Sequence, residues 1–145
     1  MSTLKTRRHD RPSATYHGCD TTLQKKETGK FMRNWYSRPV FFVKDAEHSI
    51  EFYKEKLGFA LDWNHQEGGR AYVCQVSRSG FELILAQDEG KAGHGRVFIA
   101  LNVAQEREIR KEIEDKQIDA TDSTWGLPII KILDVDGNEL FFSPP

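Results

Sequence analysis

The stretch WGLPIIKILDVDGNELFFSPP, residues 125–145, decides how the chain folds. Two apolar runs, Ile129–Leu133 and Leu140–Phe142, flank Asp134-Val135-Asp136-Gly137-Asn138. Asp and Asn bond their own backbone, and Gly and Asn tolerate positive φ, so this pattern predicts a β-hairpin. A second copy stands earlier, GGRAYVCQVSRSGFELILA, residues 68–86. At a constant offset of 57 residues, Gly69 meets Gly126, Gly80 meets Gly137, Glu82 meets Glu139 and Leu83 meets Leu140. A half-buried hairpin is marginal alone, so a duplicated one implies a single domain in which the copies pack together.

Outward from the hairpins, each unit acquires a strand and a helix. Arg38–Val43 and Phe98–Val103 are short apolar runs, each followed by a helical pattern. Val43 and Val103 differ by 60, as do Tyr53 and Ile113, so the second copy is shorter by about three residues between helix and hairpin. Each unit therefore reads as strand, helix, then three strands. In the first, Asp45 is an N-cap, Ala46, Ile50, Tyr53 and Leu57 share one helix face, and Gly58 ends it. Strands follow over Phe59–Gln66, Arg70–Val76 and Phe81–Gln87. Asp88–Gly95, with three glycines, reads as a mobile linker. The second helix, about Gln105–Lys116, pairs Glu106/Arg110, Arg110/Glu114 and Glu112/Lys116 at i,i+4, and only Ile109 and Ile113 face its core. Ile118–Asp122 is a weak strand before the final hairpin.

Composition bounds the function. A chain of 145 residues makes one domain that buries roughly two thirds of its unfolded surface. The longest apolar run, Val97–Leu101, has five residues, so no bilayer span or signal-peptide core is expected. Cys19 and Cys74 form no disulfide framework, which points to a reducing cytoplasm. Residues 1–35 hold eight Lys/Arg and three Asp/Glu, while residues 36–145 hold thirteen and nineteen. The acidic second part disfavours nucleic acid as a partner. The first part, poor in β-branched apolar residues, reads as a disordered basic tail, and residues 36–145 read as the folded domain. Met32 stands just before the first strand as an alternative start, which mass spectrometry of the native N-terminus would decide.

With the duplication in view, VKDAEHSIEFYKEKLGF (43–59) and TWGLPIIKILDVDGNELFF (124–142) resemble the vicinal oxygen chelate superfamily. Within it, the chain is most similar to the glyoxalase/bleomycin-resistance-like proteins, over residues 38–145. The resemblance implies an α+β fold of two βαβββ modules forming a curved mixed sheet around a cleft. It also implies a homodimer in which two chains complete each other's clefts. The family's enzymes hold a divalent metal through His or Glu at the start of each module's first strand and in each fourth strand. Those positions fall here on Arg38, Phe98 and Phe141, and on Glu82 or Ile84. Arg is no practical ligand, Phe has no donor atom, and such metals need several converging N or O ligands. No metal, cofactor or catalytic residue is expected.

The remaining polar residues supply no other chemistry. His9 and His17 lie in the tail, His48 in a first helical turn, His65 near a strand end and His94 in the linker. None shares a metal-ligand spacing, and His65 is the one best placed to touch a ligand. Cys74 reads as a small buried residue with no activating base nearby. The Asp134-Val-Asp-Gly run is no EF-hand loop, because its Gly falls fourth rather than sixth. Glu82 is either a ligand contact or a strand-opening residue echoed by Glu139.

The cleft that results is aromatic: Trp63, Tyr72, Phe98, Trp125 and Phe141, with Arg38 and Glu82 as its polar groups. It suits a flat, partly hydrophobic ligand. Phe41, Phe52, Phe81 and Phe142 are assigned to the helix-facing core. The leading expectation is non-catalytic binding and sequestration of an antibiotic, a small aromatic or bleomycin-type glycopeptide compound. The alternatives are a metal-dependent enzyme of the glyoxalase, dioxygenase or thiol-transferase type, and a structural module whose cleft is filled by side chains.

Overall fold

The computed structural model describes residues 34–145, which form eight strands and two helices. The first half comprises β1 (Val40–Val43), α1 (Ala46–Glu55), β2 (Ala60–Glu67), β3 (Arg70–Arg78) and β4 (Phe81–Gln87). The second comprises β5 (Arg96–Ala100), α2 (Val103–Asp115), β6 (Ala120–Thr124), β7 (Pro128–Leu133) and β8 (Glu139–Ser143). Each half builds its own four-stranded sheet, ordered β1-β4-β3-β2 and β5-β8-β7-β6. In both, the first strand runs parallel to the last and the other pairs are antiparallel. The duplication read from the hairpins is thus a duplication of the α+β topology. The tail assigned to residues 1–35, with His9, His17, Cys19 and Met32, lies outside the described residues except for Asn34 and Trp35. Among the described residues, no helix is long and apolar enough to cross a membrane.

Local chemistry accounts for the elements. Asp45 caps α1 by accepting from the Glu47 and His48 amides, and Gly58 at φ 67 ends the helix in a left-handed turn. Asn102 caps α2 in a reciprocal box with Gln105. Ser79 (φ 51) and Gly80 (φ 82) form a two-residue turn between Arg78 and Phe81, the positive-φ pair that suits the twist of a tight hairpin.

The equivalent loop in the second half has one residue more. Asp134 and Asn138 close it through the Asp134 N–H to the Asn138 carbonyl at 2.9 Å, with Gly137 at φ 95. The offset of 57 therefore relates β4 to β8, whereas β3 relates to β7 by 56: Val76 opposes Leu83 as Ile132 opposes Leu140. The first strands correct the sequence reading further. Val40 opposes Ile84, and Phe98 opposes Phe141, so Val40 and Phe98 correspond at an offset of 58 rather than 60.

One core joins the halves. Phe41, Val43, Tyr53, Leu83 and Leu85 of the first half pack in the same cluster as Ile109, Ile130, Ile132, Leu140 and Phe142 of the second. Phe52 and Phe81 pack partly buried against it, as assigned from sequence. Arg78, rooted in β3, crosses the seam: its guanidinium donates to the Leu57 carbonyl at 2.6 Å and to Glu112 of α2 at 2.7 Å. Of the pairs expected within α2, Glu106/Arg110 forms at 3.1 Å, while Glu112 turns to Arg78 instead of Lys116.

The segment Asp88–Gly95, read as a mobile linker, is anchored. The Gly93 N–H reaches the Phe42 carbonyl at 3.4 Å, and the Gly95 N–H donates to Asn138 Oδ1 at 2.8 Å. Its glycines let the backbone press against Asp136, Phe41 and Asn138 rather than swing free.

Candidate functional site

Of the seven residues singled out from sequence, Arg38, Trp63 and Glu82 gather on the side of the first sheet turned away from the core, and Phe98, Trp125 and Phe141 gather at the second; Tyr72, skipped by the ladder at an irregularity of β3, joins neither group. In the first sheet, Leu61, Val76 and Leu83 face the core. The alternate residues Trp63, Gln75 and Ile84, and the pair Ser77 and Glu82, share the opposite face. That face carries a connected polar strip. Arg38 donates to Gln75 Oε1 at 2.6 Å, and Gln75 Nε2 donates to Asp62 at 2.8 Å. The Ser77 hydroxyl donates to the other Asp62 oxygen at 2.8 Å. Asp62 reaches this strip because a bulge between Leu61 and Trp63 places an extra residue in β2. The Arg38 guanidinium also lies over the Tyr36 ring. Tyr72 on β3 is exposed.

In the second sheet, Phe98, Trp125 and Phe141 come together. Trp125, held in the turn after β6 by its N–H to the Leu127 carbonyl at 2.9 Å, stands 6.0 Å from Phe98 and 5.4 Å from Phe141 between ring centroids. The last contact is edge-to-face at 75°, a favoured arrangement of ring quadrupoles. Arg96 closes the cluster from the side, 4.5 Å above Phe141 and 5.5 Å from Trp125, while its guanidinium pairs with Glu139 at 2.8 Å. Phe141 is thereby buried, but Phe98 remains 42 % and Trp125 50 % exposed. A half-exposed aromatic cluster fixed by neighbours is a preformed stacking surface.

Sequence reasoning missed Gln75, Asp62 and Ser77 of the polar strip, and Arg96 of the aromatic cluster. Gln75 had a signal: it is the polar residue between Cys74 and Val76, and it is itself buried. Arg96 falls between the expected linker, Asp88–Gly95, and the apolar run from Phe98, because its strand begins two residues before that run.

The register also shows how the metal positions implied by the resemblance relate to one another: Phe98 opposes Phe141 in the second half, and the corresponding pair in the first half is Val40 and Ile84. Arg38 is therefore not the counterpart of Phe98. Its two-residue displacement follows from the offset of 58 instead of 60. Glu82 sits one pleat from Ile84. Four apolar side chains offer no donor, so these residues do not fit a divalent metal. Among the described residues, no group of three or more His, Cys, Asp or Glu side chains converges elsewhere. Cys74 is buried, and burial pushes its thiol up to about 12, leaving it protonated and unreactive. His65 lies within 3.6 Å of Glu67 at the exposed end of β2.

A cavity of about 290 Å³ lies elsewhere, at the seam between the halves, among Leu57, Phe59, Phe81, Ile99 and Phe142. None of the seven predicted residues lines it.

The family profile described as "Glyoxalase superfamily protein" matches residues 24–144, beginning inside the segment read as a tail. No curated protein matches the sequence. Among solved structures, TnmS3, an antibiotic binding protein from Streptomyces sp. CB03234, is 19 % identical with a TM-score of 0.61, covering 79 % of this chain and 98 % of its own. The bleomycin-binding protein of Streptomyces verticillus, solved with copper(II)-bleomycin, is 18 % identical with a TM-score of 0.59, covering 78 % and 98 %. A lactoylglutathione lyase from Agrobacterium tumefaciens is 15 % identical with a TM-score of 0.58, covering 77 % and 95 %. At such identities these likenesses concern the fold, which binders and an enzyme share. The doubled βαβββ topology and the profile match over most of its length place this chain in the glyoxalase superfamily.

Proposed function

We propose that the chain is a non-catalytic small-molecule binder that sequesters a flat, partly hydrophobic compound of the antibiotic type. The observation that carries this reading is the Phe98–Trp125–Phe141 cluster, which sets rings at two positions where the family's enzymes present metal donors. Rings there exchange charge chemistry for stacking, and their partial exposure leaves surface for a ligand to cover. Two structural neighbours are named for binding antibiotics, in keeping with this use of the fold.

The polar strip and the aromatic cluster lie on separate sheets whose core-facing sides pack together within one chain. A second copy would bring the polar face of one chain over the aromatic face of the other, so the working form in this reading is a cytoplasmic homodimer with two shared clefts.

Tryptophan fluorescence and calorimetry with copper(II)-bleomycin and with flat aromatic antibiotics test the proposal. Saturable binding at about one ligand per chain is expected, lost in Phe98→Ala. Absence of binding across such a panel overturns it. Sedimentation at micromolar concentration showing only monomer overturns the shared cleft.

A further inference from the structure

Among the described residues, three buried side-chain polar atoms have no hydrogen-bond partner: Ser49 Oγ, Trp63 Nε1 and Glu82 Oε2. Ser49 belongs to α1 and faces the core, where a hydroxyl rotor is the smallest such defect. The other two differ in kind. Trp63 presents a donor with no acceptor, Glu82 an acceptor with no donor, and both lie on the helix-averted face of the first sheet.

Their neighbours cannot help them. Ser77, directly opposite Glu82 on β3, spends its hydroxyl hydrogen on Asp62. Asp62 has both oxygens engaged, one by Ser77 and one by Gln75. Arg38, the cation of this strip, is turned to Gln75, and no ion pair to Glu82 forms among the described residues. A strip in which the other polar groups are paired and two are left open has a specific deficit. Buried polar atoms rarely stay orphaned unless something outside the fold completes them.

From this deficit we infer that the bound compound carries a hydrogen-bond donor, an amino or hydroxyl group, for Glu82, and an acceptor, a carbonyl, for Trp63. The inference rests on the reading of the chain as a small-molecule binder and names its ligand class: amino- or hydroxy-substituted aromatic carbonyl compounds. β2 and β4 flank β3, so the two positions stand roughly 10 Å apart across the sheet and about 7 Å along it. One small ring cannot reach both, whereas a fused multi-ring compound can.

The same deficit gives the proposal a signature of its own. An orphaned polar atom burdens the free protein and rewards the complex, so its removal moves stability and affinity in opposite directions. The test uses the full chain, Trp63→Phe and Glu82→Met, with 2-aminoanthraquinone and unsubstituted anthraquinone as probes. The expected result has two parts. Denaturant midpoints of both variants equal or exceed that of the parent protein. Parent protein binds the amino compound at least about tenfold more tightly than anthraquinone, and Glu82→Met abolishes that preference.

Midpoints lowered in both variants would assign these residues to the scaffold and overturn the inference. So would an undiminished preference for the amino compound in Glu82→Met. Phe98→Ala separates the two readings. If it weakens both probes while Glu82→Met changes neither, the chain is a binder and only the polar assignment fails. If neither quinone binds the parent protein, the ligand class fails whatever the bleomycin result.

Discussion

Tyr53, in the last turn of α1, donates its phenolic O–H to Asp134 Oδ2 at 2.9 Å, across the seam between the two halves. Asp134 also accepts from the Asp136 and Asn138 amides and from Asn138 Nδ2, each at 2.9 Å. The ring of Tyr53 is fully buried, with Phe52 and Phe59 packed edge-to-face against it. Burial first, and then the charge of Asp134, raises the Tyr53 phenol well above its ordinary range.

That shift has a sign. The fold prefers the neutral phenol, so the contribution of Tyr53 is fully present below its unfolded pKa near ~10 and is lost as pH rises beyond it. Cys74, pushed up to about 12, acts in the same direction from its own unfolded value near ~8.5. Stability should therefore fall on the alkaline side from about pH 9, and Tyr53→Phe together with Cys74→Ala should flatten that fall. At neutral pH, Tyr53→Phe should cost about 1–2 kcal/mol, since one lone pair of a well-bonded carboxylate loses its donor. Urea melts at pH 7 and 10.5 check both statements, and an unchanged alkaline limb would refute the assignment.

Phe98 and Phe142 separate cleft from core. Phe98 is 42 % exposed on the outer face, whereas Phe142 is 4 % exposed within the common cluster. Phe142→Ala should cost about 3–5 kcal/mol, and Phe98→Ala clearly less. Equal damage in denaturant melts would make Phe98 a core residue.

Arg78 tests the seam. Replacing it with Met leaves the Leu57 carbonyl and the half-buried Glu112 without their donor. The expected loss is about 3 kcal/mol, the cost of stranding one partner of an enclosed pair. Because that pair is shielded, the loss should persist in 0.5 M salt, where exposed pairs are screened. Restoration of parental stability by salt alone would contradict the enclosed geometry.

Gly93 and Gly90 form a matched pair in the connecting segment. A Cβ at Gly93, at φ 84, would strike the carbonyl oxygen of Asp136, while one at Gly90 would meet only Asp88 Oδ1 at 3.5 Å. Gly93→Ala should thus cost more than the ~1–2 kcal/mol of a left-handed backbone alone. Gly90→Ala should be neutral or slightly stabilising. Thermal melts of the two variants, run side by side, decide whether the segment is anchored or free.

Metal addition makes a simple control. With Val40, Ile84, Phe98 and Phe141 at the ladder positions, Zn²⁺, Ni²⁺ or Mn²⁺ should leave Tm within about a degree, since native-state binding would raise it. A rise of several degrees at stoichiometric metal would point to a donor set these residues do not form.

Much of this fold was readable from the hairpins. Gly69/Gly126 and Gly80/Gly137 mark turns because only residues tolerant of positive φ close them, and that constraint is local. The first-strand correspondence was misjudged for the opposite reason. Val43 and Val103 look alike as residues, but equivalence is fixed by pairing with β4 and β8, a relation between distant segments. The candidate site divides along the same line. Phe98, Trp125 and Phe141 announce themselves by type, whereas Gln75, Asp62 and Arg96 acquire their roles through a bulge and a neighbouring ring. Likewise, that the two groups of residues occupy different sheets is invisible until both sheets are seen to share one core.

The Asn138 side chain holds the Phe42 carbonyl with its Nδ2 at 3.0 Å and receives the Gly95 amide on its Oδ1. One amide near the end of the sequence thus completes the backbone bonding of the first strand and of the strand that opens the repeat. Neither half can denature ahead of the other without baring the shared interior to water. For a protein assembled from two copies of one unit, the outcome is a single cooperative transition, with calorimetric and van't Hoff enthalpies in agreement.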